Sequence, residues 1–487
     1  MIHDLLIIGG GINGSAIARA AAVAGRSILL VEQGDLAQAT SSASTKLMHG
    51  GLRYLERYEF KLVHESLTER GIMLKAAPHL VRPLEFRIAR GQGGRSLPIL
   101  RLGLWLYDLL ALRGGLPRSR TIRIDDPALR NPHGLGLSYW DAWVDDARLV
   151  VGNALDAAEQ GATIMTRTQF LRAERGAKSW TISLDTPSGP RQVSAAMIVN
   201  AAGPWVERVL HEGFAAHAPI ANTSRSRLRL VQGSHLIVRR CFAGDHAWLF
   251  QQPDGRIVFA IPYQQEWTLI GTTDMPVESP EDAHIGAEET AYLLDAVNRY
   301  RRVPLTEADI VSRYAGIRAL YDDGTASAAA VSRDYHLDLD RAGPPLLNVF
   351  GGKITTARHL ADDVLARLGI ATGGTHHRPL PGGDFADFAA LLETYRGRWP
   401  FLDEATLDRM ASAYGTRLPL VMGDAHAGAD MGQDFGAGLT AREVDYLIAH
   451  EWARSAEDIL WRRTKLGLRL SVAQAEAVQA YVAEKGV

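Results

Sequence analysis

Three glycines close to the start of the chain have the spacing of a phosphate-binding turn. Gly9, Gly11 and Gly14 form the pattern Gly-x-Gly-x-x-Gly, and Glu32 follows at the distance of a ribose-binding acid. The first glycine permits the turn, the second lets the backbone approach a pyrophosphate, and the third lets helix and strand pack closely. A carboxylate at Glu32 can bind a ribose 2′-hydroxyl. These residues predict an adenine-dinucleotide site, and their spacing leaves both NAD and FAD open.

Two strands and a helix must hold this turn in place. Residues 5–8 and 27–31 are short apolar runs typical of a parallel sheet, and residues 16–23 form a small-residue helix between them. Residues 197–202 predict another strand, after which Gly203 could admit a cofactor at the carboxyl edge of the sheet or simply form a tight turn. The pattern predicts a doubly wound α/β domain.

A polar loop over residues 39–54 follows Glu32. Its hydroxyl groups, on Ser41, Ser42 and Ser44, could donate to phosphate or ribityl oxygens, and Gly50 and Gly51 would let the backbone pass close to a flat ring. The alternative is a solvated serine-rich linker. Against that alternative, the loop also contains polar and charged side chains, namely Lys46, His49, Arg53 and Tyr54.

A second glycine turn lies far along the chain. Gly351, Gly352 and Lys353 follow an apolar strand at residues 346–350 and open a helix that runs to residue 368. A glycine turn at a helix N-terminus suits contact with cofactor oxygens. Because Lys353 opposes the local helix dipole, an anion-facing role is favoured over a solvated one.

Between residues 232 and 274 the apolar residues alternate, which predicts an antiparallel sheet with one face toward a pocket. Such a sheet would form a second, substrate-covering domain inserted into the first. His235 begins one of these strands and Thr272 ends another. A lone histidine can be structural or catalytic, and its spacing does not decide between the two.

Residues 87–123 combine many leucines with arginines around the aromatic pair Trp105 and Tyr107. Broad apolar faces flanked by arginine suit a helix that lies in a membrane interface and is attracted to anionic lipid. The alternative is a core helix with an arginine-rich surface. Residues 139–151 are expected to open the next helix, capped by Asp145 or Asp146.

Composition limits the possible functions. The 487 residues carry a formal charge of −2, so no overall basic field points to nucleic acid. The single cysteine, Cys241, excludes an internal disulfide and fits a reducing, cytoplasmic-side location. No stretch of apolar residues is long enough to predict a membrane span. His376 and His377 have no supporting ligands nearby, so no metal site is predicted.

With these residues in view, the chain resembles the flavin-dependent, quinone-linked glycerol-3-phosphate dehydrogenases from about residue 4 to about residue 470. The similar blocks, in the same order, are GGGING, TSSASTKLMHGGLRYLE, WVDDARLV, GPWV, GSH, IGTTD, GGKITT and HEW…LWRRTK. The combination of HGGLRYLE with GGKITT is the specific part of the likeness.

The resemblance implies an α/β protein with a glutathione-reductase-like Rossmann FAD domain, an inserted antiparallel β-rich substrate domain and a C-terminal all-helical domain. The FAD and substrate domains are expected to interleave over residues 1–371, with the substrate part at about residues 75–140 and 210–340. Residues 372–384 are Gly- and Pro-rich and read as a linker to a helical domain at residues 385–487.

The resemblance also implies FAD as the cofactor and assigns site residues. The expected substrate-binding residues are Arg53, Tyr54, Thr272, Arg318, Arg333 and Lys353. His235, Arg318 and Lys353 are the expected catalytic residues, with His235 as the base. The expected cofactor-binding residues are Gly9, Gly11, Ile12, Asn13, Gly14, Glu32, Gln33, Thr40, Ser41, Ser42, Ser44, Lys46, Leu47, His49, Gly50, Gly51, Gly203, Gly352, Lys353, Ile354 and Thr355. One departure is Ala319, where the family usually has proline, and it could alter a loop carrying Arg318.

By this resemblance the reaction is oxidation of sn-glycerol 3-phosphate to dihydroxyacetone phosphate, with hydride moving from C2 to FAD N5 and electrons passing to a membrane quinone such as ubiquinone. The enzyme would bind peripherally to the anionic cytoplasmic face of the inner membrane, and a homodimer is compatible with this placement. The alternatives are a glycerol-3-phosphate oxidase that uses O₂ and an FAD-dependent amine or amino-acid oxidase of the same fold.

Overall fold

The structure is a computed structural model that describes residues 2–55, 58–89, 95–111, 115–214, 227–322 and 334–486. The strands are β1 (Ile2–Ile8), β2 (Ile28–Val31), β3 (Leu47–Met48), β4 (Val81–Ile88), β5 (Arg120–Asp125), β6 (His133–Val144), β7 (Thr163–Met165), β8 (Gln169–Arg175), β9 (Trp180–Thr186), β10 (Gly189–Asn200), β11 (Arg227–Arg239), β12 (Ala247–Gln251), β13 (Ile257–Tyr263), β14 (Trp267–Gly271), β15 (Met275–Pro276), β16 (Ile310–Asp322), β17 (His336–Asp340), β18 (Leu346–Phe350), β19 (Asp434–Gly436) and β20 (Leu439–Thr440).

The α-helices are α1 (Ile12–Val23), α2 (Leu52–Leu55), α3 (Phe60–Ala76), α4 (Leu97–Leu110), α5 (Asp146–Glu159), α6 (Val206–Phe214), α7 (Ala287–Asn298), α8 (Ala357–Leu368), α9 (Phe388–Arg398), α10 (Glu404–Tyr414), α11 (Leu418–Met422), α12 (Ala441–His450) and α13 (Val472–Glu484). A π-helix covers Asp458–Arg463.

The first sheet carries the glycine turn. Its order is β17-β18-β10-β1-β2-β7, and the four contacts from β18 to β7 are parallel. Strands β8 and β9 extend it beyond β10 as antiparallel neighbours. Because parallel strands are covered by helices on their faces, their residues are uniformly apolar, and β2 and β18 are buried along their whole length. The expected Rossmann arrangement is confirmed.

Three helices cover one face of this sheet. Helix α1 contacts both α5 and α8, and its alanines at positions 16, 18 and 20–22 are buried against the strands. Small side chains let a helix lie close to a sheet, as the sequence predicts. Asp145 caps α5 by accepting a hydrogen bond from Arg148 N at 3.1 Å, but residues 139–144 belong to β6 and not to the expected helix.

The second sheet is formed by two separate parts of the chain. Its order is β15-β11-β14-β13-β12-β4-β6-β3, with β16 paired to β11 and β5 paired to β6. All its pairs are antiparallel except β12 with β4. His235 lies in the middle of β11 rather than at its start, and Arg318 and Ala319 lie in β16 rather than in a loop.

The C-terminal residues form a helical unit with its own core. That core contains aromatic and aliphatic residues from α9 to α13, and a short β19-β20 hairpin interrupts the helices. The segment 372–384, expected to be a linker, is docked: Leu380 N donates to Ala76 O at 2.8 Å and Arg378 pairs with Asp156 at 3.0 Å. Within the described ranges, no helix is both long enough and apolar enough to span a bilayer.

Candidate functional site

A cavity of about 1240 Å³ opens along the glycine turn. Both sheets and the C-terminal unit contribute to its walls. The predicted site residues that line it are Gly9, Gly11, Ile12, Asn13, Glu32, Gln33, Thr40, Ser41, Ser42, Lys46, Gly203, Arg318 and Gly352. The sequence therefore predicted much of one wall, and the volume exceeds the range of roughly 300–1,000 Å³ typical of small-ligand sites.

The glycine turn is too crowded for side chains. A Cβ at Gly9, whose φ is +108°, would lie 2.6 Å from Ala201 O, and a Cβ at Gly14 would overlap Gly9 O. A Cβ at Gly11 would approach Ser41 Oγ to 3.1 Å. The first and third glycines thus permit the turn and the close helix, while the second keeps the helix N-terminus open to the cavity.

The N-terminus of α1 carries the features of an anion cradle. Ile12 N donates to Ser41 Oγ at 2.9 Å. Asn13 Nδ2 donates to Gly351 O at 3.0 Å, which ties the first glycine turn to the second. Asn13 Oδ1 is buried and lacks a hydrogen-bond partner among the residues described. The partial positive charge at a helix N-terminus attracts phosphate groups. Because Gly11, Ile12 and Asn13 line the cavity, this end of α1 fits the pyrophosphate of a dinucleotide.

Glu32 is held by its own loop. Its Oε2 accepts from Gly10 N at 2.6 Å, and its Oε1 accepts from Gly34 N at 2.8 Å. Burial raises the pKa of this carboxyl group, and the two backbone N–H groups act in the opposite direction. Because each carboxylate oxygen can accept more than one hydrogen bond, Glu32 can bind a ribose hydroxyl in addition.

Two residues that were expected to bind the cofactor are held by Asp146 instead. Lys46 Nζ pairs with Asp146 Oδ2 at 2.7 Å, and Ser44 Oγ donates to the same oxygen at 2.7 Å. Lys46 lines the cavity, but its charge is neutralised by this buried partner. The family block WVDDARLV thus serves to position the polar loop.

The neighbouring acid, Asp145, pairs with the C-terminal unit. Lys465 Nζ lies 2.8 Å from Asp145 Oδ1. Asp35, three residues beyond Glu32, binds Arg462 Nε at 2.6 Å and Arg463 Nη1 at 2.8 Å. Arg148 pairs with Glu451. The charged residues of the segment HEW…LWRRTK therefore fasten the C-terminal unit beside the glycine turn.

His235 is buried against the polar loop of residues 39–54. Its ring stacks on Tyr314 with 4.8 Å between centroids, and Thr45 Oγ1 lies 2.9 Å from its Nε2. Its Nδ1 has no hydrogen-bond partner in the described part of the chain. Burial lowers the pKa of His235 well below its ordinary value, and the nearby Lys46 and Arg318 lower it further. The imidazole is therefore neutral near pH 7.

Arg318 reaches the cavity from β16. It pairs with Asp274 at 2.8 Å and donates to Thr273 O at 2.7 Å. A Cβ placed on Gly233 would lie 2.6 Å from Thr272 Oγ1 and 2.7 Å from Arg318 Nη2. The predicted substrate residues Thr272 and Arg318 are thus brought together.

The ammonium group of Lys353 forms no ion pair with a carboxylate among the residues described. Its Nζ lies 4.2 Å from the centroid of the Tyr54 ring and is buried with no hydrogen-bond partner within the described ranges. A Cβ on Gly351 would lie 3.5 Å from Ala319 O, so this turn adjoins the strand that carries Arg318. The side chain of Arg53 and all of Arg333 lie outside what the structure describes.

Glu289 is a site residue that sequence reasoning missed. This buried acid on α7 accepts from Gln232 Nε2 at 2.6 Å, Ser234 Oγ at 2.8 Å and Thr273 Oγ1 at 2.5 Å. Ser234 precedes His235, and Thr273 follows Thr272. Nothing in the local sequence distinguishes Glu289 from its exposed neighbour Glu288, because its role depends on how α7 packs on the sheet.

Tyr107 holds the other glycine pair of the polar loop. Gly50 N donates to the Tyr107 hydroxyl at 2.8 Å, and that hydroxyl lies 2.8 Å from Asp141 Oδ2. Arg70 pairs with Asp141, and burial raises the pKa of Asp141 to about 6. This network connects α4 to the backbone next to Arg53 and Tyr54. The predicted residues that do not line the cavity are Gly14, Ser44, Leu47, His49, Gly50, Gly51, Tyr54, His235, Thr272, Lys353, Ile354 and Thr355.

Comparison with known proteins gives consistent findings. A family described as FAD dependent oxidoreductase matches residues 4–358, and one described as the C-terminal domain of alpha-glycerophosphate oxidase matches residues 374–485. A glycerol-3-phosphate dehydrogenase of Pseudomonas aeruginosa is 46% identical, covering 99% of this chain and 95% of the relative.

A D-erythritol 1-phosphate dehydrogenase of Brucella abortus is 45% identical, covering 97% of this chain and 96% of the relative. Among solved structures, the glycerol-3-phosphate dehydrogenase from Bacillus halodurans complexed with FAD has a TM-score of 0.76 at 26% identity. The match covers 99% of this chain and 90% of that one.

Proposed function

The chain belongs to the family of FAD-dependent oxidoreductases that includes the glycerol-3-phosphate dehydrogenases, and on that premise we propose that it oxidises sn-glycerol 3-phosphate to dihydroxyacetone phosphate and passes the electrons to a membrane quinone. FAD is its cofactor. The observation that carries the proposed substrate is the buried Nζ of Lys353, which has no hydrogen-bond partner within the described ranges. A phosphate group would supply the missing negative charge.

The chemistry of the substrate matches the charges at this end of the cavity. A phosphate monoester carries a charge of about −1.5 to −2 near pH 7, and it is desolvated well only by several cations. Lys353 and Arg318 supply two of them, and the family resemblance adds Arg53 and Arg333. An amino-acid substrate would need a clamp for one carboxylate and not this number of cations.

The protein supplies binding, orientation and a proton acceptor. FAD, when bound, would supply the acceptor for the hydride from C2 of the substrate. His235 is proposed to accept the proton of the 2-hydroxyl, because its imidazole is neutral and Thr45 orients one of its nitrogens. Glu289 holds Ser234, which precedes His235 in β11, and Thr273, whose main-chain oxygen accepts a hydrogen bond from Arg318.

The visible spectrum of the purified protein tests the substrate directly. Anaerobic addition of glycerol 3-phosphate is expected to bleach the flavin absorption band, whereas glycerol, which lacks the phosphate, leaves it unchanged. Glycine and sarcosine serve as controls for an amine-oxidase activity. If glycine or sarcosine bleaches the band and glycerol 3-phosphate does not, the proposal is wrong.

A second substrate deserves the same test because a D-erythritol 1-phosphate dehydrogenase is nearly as similar to this chain as the first glycerol-3-phosphate dehydrogenase. Both compounds are phosphate esters of polyols, so both suit the cations. Comparing kcat/KM for the two phosphates decides between them, and a higher value for the four-carbon phosphate would replace glycerol 3-phosphate as the substrate.

The proposed quinone acceptor requires access to a membrane. Helix α4 exposes a line of apolar side chains and buries Leu104 and Tyr107 on its other side. The exposed residues are Ile99, Leu102, Trp105 and Leu109, at 61%, 67%, 57% and 45% exposure. Tyr58 and Phe60 are exposed as well. They lie near α4, because His64, one turn after Phe60 in α3, has its Nδ1 3.2 Å from Leu110 O at the end of α4. This surface supports peripheral binding to the anionic cytoplasmic face of the inner membrane.

Two measurements test the membrane and the acceptor. Leu102→Asp is expected to abolish sedimentation with anionic vesicles at low salt, while Leu420→Asp, at a 60% exposed site in the C-terminal unit, leaves it unchanged. Equal sedimentation of both variants would reject α4 as the docking surface. Separately, rapid quinone reduction with little peroxide is expected, and stoichiometric peroxide would identify an oxidase instead.

A further inference from the structure

One segment of the C-terminal unit reaches the cofactor cavity. Glu457, Trp461 and Arg462 line the cavity, and the last two belong to the π-helix Asp458–Arg463. π-Helical turns are rare and occur frequently at functional sites. The cofactor residues predicted from the sequence all lie between Gly9 and Thr355, far before this segment, so the segment had no assigned part in binding FAD.

The π-helix lies at the adenosine end of the cavity. Glu32, the expected ribose ligand, is flanked by two loops: Gly34 N donates to its Oε1 at 2.8 Å, and Thr168 N donates to its main-chain oxygen at 2.8 Å. The π-helix is fastened to both loops, through Arg462 with Asp35 at 2.6 Å and through Asp458 with Arg167. Because these contacts are buried charge pairs, the segment has a fixed position relative to Glu32.

Trp461 is the aromatic residue of this segment, and its indole is unusually exposed for so large a side chain. It is 40% exposed and lines the cavity. A Cβ on Gly467 would lie 2.5 Å from Trp461 Cε2, so the absence of a side chain at Gly467 gives the indole its place. The indole thus rests on backbone on one side and is available to a ligand from the cavity.

We propose that Trp461 provides an aromatic surface for the adenosine half of FAD, so that the C-terminal unit is part of the cofactor site. Adenine has a flat π-face that stacks on aromatic side chains, and tryptophan is the largest of these. The inference depends on FAD as the cofactor and not on the proposed substrate. Its failure would therefore leave the proposed reaction untouched, and the reverse also holds.

The test measures the affinity of the full-length protein for FAD and for its two halves. Holoenzyme is diluted, the released FAD is followed by its fluorescence, and ADP or FMN is added as a competitor. With Trp461→Ala, we expect FAD and ADP to bind about tenfold to a hundredfold more weakly, the loss of one base–aromatic stack. FMN lacks the adenosine half, so its competition should be unchanged.

Matched variants make the result specific. Trp461→Phe keeps an aromatic ring and should retain most of the affinity for ADP, whereas Trp461→Leu, which is apolar without a ring, should lose it. Leu420→Ala, at an exposed position in the same unit, should leave all affinities unchanged. Wild-type ADP affinity in Trp461→Leu would overturn the proposal. Equal weakening of ADP and FMN would also overturn it, because that result indicates general loosening of the cavity.

Discussion

The two ends of the cavity differ in whether their buried charged groups have protein partners. At the adenosine end, Asp35 binds Arg462 and Arg463 in buried surroundings. Next to the end proposed for the substrate, Lys353 Nζ is buried without a hydrogen-bond partner in the described part of the chain. At the first end the buried charges neutralise one another, whereas at the second a buried cation is available for a ligand to neutralise.

The difference separates stability from function. A buried charge with a protein partner contributes to the folded state, and removing one partner leaves the other uncompensated. A buried cation without a partner disfavours the folded state, and it is retained where a ligand makes use of it. Substitutions at the two ends should therefore affect different measurements, and the following predictions test this contrast.

The largest effect on stability is expected at Asp35. Asp35→Ala leaves Arg462 and Arg463 buried without their shared carboxylate, and breaking such a pair costs about 3–5 kcal/mol of the free energy of unfolding. Urea unfolding followed by tryptophan fluorescence measures it. Asp424→Ala removes a carboxylate that is 92% exposed and pairs with Arg442, so it should cost about 0–1 kcal/mol. Equal losses for both variants would contradict the view that the adenosine end is held by buried pairs.

The opposite pattern is expected at Lys353. Lys353→Met keeps the shape of the side chain but removes the charge, so kcat/KM for glycerol 3-phosphate should fall about a hundredfold or more, as for the loss of a charge-assisted contact with phosphate. Stability should stay about the same, because no hydrogen-bond partner among the described residues is lost and only the contact of the charge with the Tyr54 ring is removed. Lys61→Met, at a side chain that is 91% exposed, is the control. A lower unfolding midpoint with normal kinetics would make Lys353 a structural residue.

A smaller effect is expected for Glu289, which acts through its neighbours. Glu289→Gln keeps the size of the side chain but weakens three hydrogen bonds, so Ser234 and Thr273 are held less firmly. A hydrogen bond to a charged acceptor contributes about 1.5–3 kcal/mol, and a neutral amide oxygen keeps part of that energy. We therefore expect kcat to fall about tenfold, with FAD affinity unchanged. Glu288→Gln, at an exposed position on the same helix, should have no effect. A fall in FAD affinity instead would assign Glu289 to the cofactor site.

The glycine turn was predictable because its reasons are local. Gly9, Gly14 and Glu32 lie within one strand-turn-helix-strand unit, where spacing alone fixes which backbone atoms approach each other. The alternating strands of the second sheet were predictable for the same reason. The expected helix cap at Asp145 is confirmed, but residues 139–144, which the sequence placed with that helix, form the end of β6. The apolar residues of β6 are buried on both faces, and this hides the strand period.

The charge pairs were not predictable because they join distant parts of the chain. Asp35 and Arg463 are more than four hundred positions apart, and only the docking of the C-terminal unit on α5 brings them together. The same holds for Glu289 and for Trp461. Sequence showed Lys46 as a cation near a cofactor loop, but only the structure shows that Asp146 has already neutralised it.

Acid stability gives the smallest expected effect and extends the comparison to histidine. Burial lowers the pKa of His79 from 6.5 to about 3, with Arg148 and Arg82 adding to the effect, and burial lowers that of His246 to about 4. Unfolding restores the ordinary value, so below pH 6.5 the unfolded chain binds protons that the folded chain does not. Stability is therefore complete above that pH and is lost as the pH falls, by about 1.4 kcal/mol per pH unit for each histidine.

Asp141 has the opposite effect on stability. Burial raises its pKa to about 6, so below pH 6 the folded chain binds a proton that the unfolded chain does not, and this offsets part of the stability lost through the histidines. His79→Asn should therefore reduce the drop in the free energy of unfolding between pH 6.5 and pH 5.5 by about 1 kcal/mol, because the unfolded histidine is already half protonated at pH 6.5. His133→Asn, at a side chain that is 78% exposed, should not change the drop. Urea unfolding at the two pH values measures it, and an unchanged drop in His79→Asn would show that His79 is not a neutral group at the interface between the C-terminal unit and α5.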